Sequence, residues 1–152
     1  MKDLSLHILD IAENSIRAGA ELLEITVNED VERNLLILQI TDNGKGMAAE
    51  SICHAVDPFY TTKSGKRFGM GLALLAQATR EAEGNFEISS KPECGSTIKA
   101  TFCYNHPDRK PLGDIVATLE TILAGNRTVD FIFKHRRGNE VTRIDTRKIR
   151  QS

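Results

Sequence analysis

The chain has 152 residues, 40% of them hydrophobic and 27% charged, with a formal net charge of −1. That length suits one globular domain with its own core and argues against two full-size domains or a large barrel. Three cysteines (Cys53, Cys94 and Cys103) with no CxxC spacing argue against a disulfide framework and a structural zinc, and no long apolar run suited to a membrane span occurs, so a reduced, cytoplasmic protein is expected. The charge is unevenly placed: residues 1–126 hold 12 Lys and Arg against 18 Asp and Glu, a net of −6, while residues 127–152 hold 8 against 3, a net of +5.

Leu4, Ile8, Ile11, Ala12 and Ile16 recur at three- and four-residue spacing, which predicts a helix over Leu4–Arg17 with one buried face, stopped by Gly19. Residues 21–28 and 33–42 read as strands joined by a polar turn over residues 29–32. The second strand runs into a glycine-punctuated loop, Asp42 to Met47, and a short helix is expected near 48–55. Residues 56–68 have no period and read as a long loop; Gly69 then opens a helix that ends at Gly84. Residues 85–91 and 96–104 alternate polar and apolar and predict an antiparallel pair. Residues 105–111 hold two of the four prolines and read as a linker, followed by a helix near 112–124 and strands at 128–135 and 140–146. The order predicts a two-layer α/β sandwich, helices on a mostly antiparallel mixed sheet, with residues 1–104 as the main domain and 112–152 as a helix-plus-hairpin appendage packed on it.

Four groups of residues have chemical potential. Asp10 and Asn14 lie one turn apart on the first helix, so their oxygens share a face that either meets solvent or binds Mg²⁺. Asp42-Asn43-Gly44-Lys45-Gly46-Met47 at a strand end is either an Asx turn or a loop that lets backbone approach a ligand, its aspartate accepting from an adenine amino group. Gly69, Met70, Gly71 and Leu72 open a helix whose free N–H groups can hold an anion, with Lys63, Lys66 and Arg67 just upstream. Neither a Walker A loop nor a dinucleotide-binding fingerprint is present. Gly95-Ser96-Thr97 starts a strand, where the hydroxyls either pair within the hairpin or reach a base through water.

Taken in order, these blocks resemble the ATP-binding domain shared by DNA gyrase B, histidine kinases and MutL-type repair proteins, the GHKL or Bergerat superfamily, over residues 3–103. Asp10 to Ala20 resembles the N box, with an ending similar to that of MutL-type proteins; Asp42, Gly44 and Gly46 match the G1 box. Asp57 to Lys63 resembles the F-box segment of histidine kinases, Gly69 to Ala73 the end of the G2 box, and Gly95 to Thr97 the last glycine block. The resemblance implies that Asn14 coordinates Mg²⁺ at the ATP phosphates and that Asp42 bonds the adenine amino group, helped by Gly46 and, through water, by Ser96 or Thr97. The resemblance likewise implies that Gly44 and Met47 belong to the same nucleotide loop. Gly69, Met70, Gly71 and Leu72 would offer backbone to the phosphates at the base of a lid over residues 56–70, and Lys63 would reach them when the lid closes. Asp10 stands where hydrolysing members carry a water-activating glutamate, one methylene longer; Arg67 stands where the G2 box often has its first glycine.

The function implied is that of a stand-alone ATP-binding module that transfers phosphate to a protein partner in trans, because no phosphoacceptor domain precedes the N box. A weak ATPase or nucleotide-dependent switch, with Asp10 as general base, is the alternative, and a nucleotide-holding interaction module the third. Expected partners are ATP or ADP and an unidentified protein, with a homodimer as a further arrangement; neither a membrane nor a nucleic acid is expected. The basic end reads as a solvated face, or as a surface for an acidic protein or for self-association.

Overall fold

The computed structural model describes residues 3–45, 70–91, 93–125 and 128–146. The expected helix near 48–55, the long loop at 56–68, and the candidates Gly46, Met47, Lys63 and Gly69 lie outside the described residues.

Asp3 caps the first helix, α1 (Leu4–Arg17), its Oδ1 accepting from the Leu6 N–H at 3.3 Å. Two more N–H groups of that first turn, on Leu4 and Ser5, donate to the carbonyls of Pro111 and Leu112, both at 2.9 Å. The stripe that α1 buries is Leu4, Ile8, Ile11 and Ala12, joined by Ser5, His7 and Ser15. Strands β1 (Leu22–Asp30) and β2 (Leu35–Asp42) follow, then helix α2 (Met70–Glu81), strands β3 (Asn85–Lys91) and β4 (Gly95–Cys103), helix α3 (Ile115–Gly125), and strands β5 (Asp130–Arg137) and β6 (Glu140–Asp145).

Two boundaries differ from the sequence expectation for local reasons. The first hairpin turns later, after Asp30, because that carboxylate accepts from the Arg33 N–H at 3.2 Å and meets Arg33 Nε at 2.6 Å, holding the turn beyond it. The same Arg33 hydrogen bonds keep the Asp30 carboxyl below its ordinary pKa. The third helix begins at Ile115, not 112, because Asp114 caps it by accepting from the Ala117 N–H at 2.9 Å.

The six strands form one sheet in the order β3-β4-β2-β1-β5-β6. Every pairing is antiparallel except that of β1 with β5, which is parallel. The three helices among the described residues make the second layer: α1 packs against both α2 and α3, and α2 lies over β3 and β4. The molecule is thus the two-layer α/β sandwich that the element order predicts, and the C-terminal hairpin lengthens the same sheet.

Register explains the core. One row of residues facing the helices runs across all six strands as Ile88, Ile98, Ile40, Ile25, Phe133 and Ile144. The opposite face alternates to Glu87, Lys99, Gln39, Thr26, Lys134 and Arg143, the polar side of a half-covered sheet. At the end of the sheet away from Asp42, Glu29 ties the hairpin to the segment after β4: its Oε2 lies 2.7 Å from His135 Nε2, and its Oε1 accepts from Tyr104 Oη at 3.0 Å. The Arg109 guanidinium stacks on that tyrosine, 5.0 Å from the ring centroid.

Phe133 is 2% exposed and sits mid-row on β5. Phe133→Ala is expected to destabilise the whole domain by about 3–5 kcal/mol in urea unfolding followed by circular dichroism. A single transition shifted by that amount supports a shared core; loss of only a minor early transition would contradict it.

Candidate functional site

Two residues along from the apolar row, the helix-facing side changes character. The next row reads Ser90, Ser96, Asp42, Leu23 and Phe131, so three adjacent strands end their inner face in hydroxyls and a carboxylate. Asp42 occupies this place because period-two alternation from Leu36, Leu38 and Ile40 carries it to the same side. Its carboxylate is held from two directions. Oδ2 accepts from Ser15 Oγ of α1 at 2.8 Å, and Oδ1 accepts from the Gly44 N–H at 2.8 Å. A carboxylate has about four acceptor positions, so these two bonds fix its plane and leave capacity for a ligand donor.

The loop after Asp42 is fastened as firmly. Asn43 Oδ1 accepts from the N–H groups of Glu21 and Leu22, at 2.8 and 3.0 Å, and the Lys45 N–H donates to the Ala18 carbonyl at 3.0 Å. The end of α1, the start of β1 and the end of β2 are thereby joined. Gly95 closes the other side: with φ at +87°, it passes so near β2 that a Cβ on it would lie 2.1 Å from the Asp42 carbonyl oxygen.

The two hydroxyls left open by the sequence separate cleanly. Ser96 lies opposite Asp42 on the helix-facing side, its Oγ 2.8 Å from Ser90 Oγ. Thr97 alternates to the other face, where Thr41 Oγ1 lies 3.4 Å from its Oγ1. Ser15 and Asn43 are the structural residues that the sequence reading left without a role. Ser15 carries no distinguishing signal in the sequence, because Ser5 and His7 are also polar residues on the buried side of α1.

On α1, Asn14 is half-buried and Asp10, one turn earlier, is exposed. Asn14 Oδ1 accepts from Arg17 Nη1 at 3.2 Å, and Arg17 Nη2 also lies 3.7 Å from Glu13 Oε2. These contacts are exposed and long, so they hold the Asn14 amide only weakly. Met70 opens α2, with Gly71 and Leu72 in its first turn; the Leu72 side chain is buried in the core. A helix start at that point directs N–H groups outward from its end.

The profile of the family described as histidine kinase-, DNA gyrase B-, and HSP90-like ATPase matches residues 2–106. The chain belongs to this family. Among its relatives, the sensor histidine kinase YxdK of Bacillus subtilis is 31% identical over 108 residues, 66% of this chain and 33% of the kinase. The non-motile and phage-resistance protein of Caulobacter vibrioides is 30% identical over 119 residues, 72% of this chain and 14% of that protein. The sensor protein kinase PilS of Pseudomonas aeruginosa is 25% identical over 106 residues, 66% of this chain and 20% of the kinase. The chain therefore spans a third or less of the length of these curated relatives. What it shares with them is the ATP-binding domain of the histidine-kinase type. Among the described residues, no helix of this ATPase-family domain is long and apolar enough to cross a membrane.

Ser15→Ala removes one of the two donors that orient Asp42. It is expected to weaken ATP binding about fivefold in calorimetry, the equivalent of one ordinary hydrogen bond. Gly95→Ala, which drives a methyl group into the β2 backbone, is expected to abolish measurable binding; native affinity in both variants would separate the Asp42 end of the sheet from the nucleotide.

Proposed function

We propose that this chain is a Mg-ATP-binding phosphotransfer module acting on a protein partner in trans, with the nucleotide seated at the polar end of the sheet beside α1. The observation that carries the reading is the orientation of Asp42. Its carboxylate faces the helix layer, held by Ser15 and Gly44, with acceptor capacity to spare for an exocyclic amino group. Ser96, on the same face and one strand away, is the hydroxyl suited to assist through water. Gly46, Met47 and Gly44 complete the adenine loop in this proposal, and Gly69, Met70, Gly71 and Leu72 supply backbone donors to the phosphates, with Lys63 as a further cation.

Mg²⁺ fits the residues present. Among the described residues, no group of three or more His, Cys, Asp or Glu side chains gathers as a cage. Magnesium commonly takes only one or two protein oxygens and completes its shell with phosphates and water. Asn14 would hold it through an amide oxygen whose present partner, Arg17, is exposed and readily displaced. The ion supplies neutralisation of phosphate charge during transfer. The chain's own contribution is to bind the base, fix its plane and present the far phosphate to an acceptor side chain brought by the partner.

Hydrolysis is the second reading, favoured by Asp10, an exposed carboxylate one turn before Asn14 and able to take a proton from water. A reducing, cytoplasmic location is part of the proposal and rests on the free thiols of Cys94 and Cys103.

Calorimetry with Mg-ATP tests the site. Asp42→Asn is expected to lower affinity at least tenfold, as for loss of a charge-assisted hydrogen bond, and Asn14→Ala to remove most of the Mg²⁺ dependence. Unchanged binding in both would overturn the assignment. Terminally labelled ATP then distinguishes the outcomes: label on a co-expressed protein supports transfer, whereas free phosphate that disappears in Asp10→Asn assigns hydrolysis.

A further inference from the structure

One peptide group at the start of β1 joins the C-terminal hairpin to the loop after Asp42. It links Glu21 to Leu22 and is held from both sides. Its carbonyl accepts from the Asp130 N–H of β5 at 2.9 Å, and its N–H donates to Asn43 Oδ1 at 3.0 Å. The Glu21 N–H reaches the same Oδ1 at 2.8 Å. Because a peptide unit is planar, its carbonyl and its N–H cannot be re-aimed independently. A bond lost at Asp130 therefore loosens the one at Asn43, and hydrogen bonds chained through an amide polarise and strengthen one another.

On the β5 side, the anchor is a side chain that follows the end of β6. Thr146 is buried, and its Oγ1 accepts from the Phe131 N–H at 2.8 Å. The hydroxyl hydrogen has two acceptors at 3.4 Å, the Phe131 carbonyl and Asp130 Oδ1. One side chain thus fixes the first two residues of β5. A buried N–H deprived of its acceptor carries its full desolvation cost, so without the hydroxyl the strand start would shift to regain a partner.

On the other side, Asn43 lies between Asp42 and Gly44, and the Gly44 N–H is one of the two donors that orient the Asp42 carboxylate. Phe131 also belongs to the inner row that holds Asp42, one strand beyond Leu23. Asp130, Phe131 and Thr146 all lie outside residues 2–106, the stretch that matches the family profile. Part of the support for Asp42 therefore comes from the C-terminal hairpin and not from the matched segment.

We infer that Thr146 is a positioning residue for the nucleotide seat, acting on Asp42 through Asp130, the Glu21–Leu22 peptide and Asn43. The inference rests on the reading of Asp42 as the base-binding carboxylate. Its action is indirect: Thr146 holds the start of β5 against β1, and β1 holds the loop. The two bonds at Asn43 are exposed, so the coupling is modest in size. By linkage, nucleotide bound at Asp42 steadies the Thr146 contact by the same factor that the contact adds to nucleotide affinity.

The test uses the full chain, Mg-ATP calorimetry and amide hydrogen exchange. Thr146→Val keeps the shape and removes the hydroxyl; it is expected to weaken Mg-ATP binding about threefold, and Thr146→Ser to keep native affinity. In an Asn43→Ala background, Thr146→Val is expected to change affinity no further, because the relay is already cut. Ile122→Val, a core change in α3, is the control: lower thermal stability with native affinity. Without nucleotide, exchange of the Leu22 amide is expected to quicken in Thr146→Val and to stay native in Thr146→Ser. Native affinity in Thr146→Val, or equal losses with and without Asn43, would overturn the positioning role. Leu22 exchange indifferent to Thr146→Val would overturn the relay whether or not nucleotide binds, whereas a native chain that binds no Mg-ATP would overturn the Asp42 reading itself.

Discussion

The hydrogen bond from Ser15 to Asp42 is the contact on which the arrangement of this domain turns. A carboxylate at the end of a core strand, facing a helix layer, is expensive to desolvate without donors. Ser15 supplies one from the helix and Gly44 another from the loop. A neutral hydroxyl satisfies the carboxylate without cancelling its charge. The same bond fixes how far along β2 the helix α1 sits, and so where the neighbouring Asn14 emerges. Had residue 42 been apolar, the inner row would have closed over like the one through Ile40; its polarity marks where the apolar core ends.

Around that contact, the backbone is shaped by exclusions as much as by bonds. Gly95 lets β4 cross close to the Asp42 carbonyl, and Asn43 joins the loop to β1 through two main-chain donors. These features fix the ledge before any ligand arrives. Preorganisation of this kind reduces the ordering cost of binding, which suits the nucleotide seat proposed above.

Much of this was legible in the residues. The Leu4, Ile8 and Ile11 spacing predicted α1 correctly to both ends, and alternation in residues 85–91 located β3. The glycine pattern after Asp42 singled out the loop that the structure places against α1. Other features depend on distances in space that spacing cannot encode. Ser96 and Thr97 are chemically alike, and only the register with Asp42 and Thr41 assigns them to opposite faces. Ser15 resembles any small residue on a buried stripe until β2 is brought beside it. The parallel pairing of β1 with β5 was invisible because it joins segments about a hundred residues apart, with no local turn to announce it.

The caps on α1 have a consequence for how the protein is made. Its first N–H groups are satisfied by carbonyls of Pro111 and Leu112, and β1, which follows it, is flanked on one side by β5. The backbone of α1 and β1 is therefore fully paired only once segments about a hundred residues away along the chain are in place. Such long-range closure slows folding and leaves β1 with an open edge meanwhile. The ledge at Asp42 is consequently completed late, because Ser15 reaches it from a helix whose own first turn is paired only when Pro111 and Leu112 are in place.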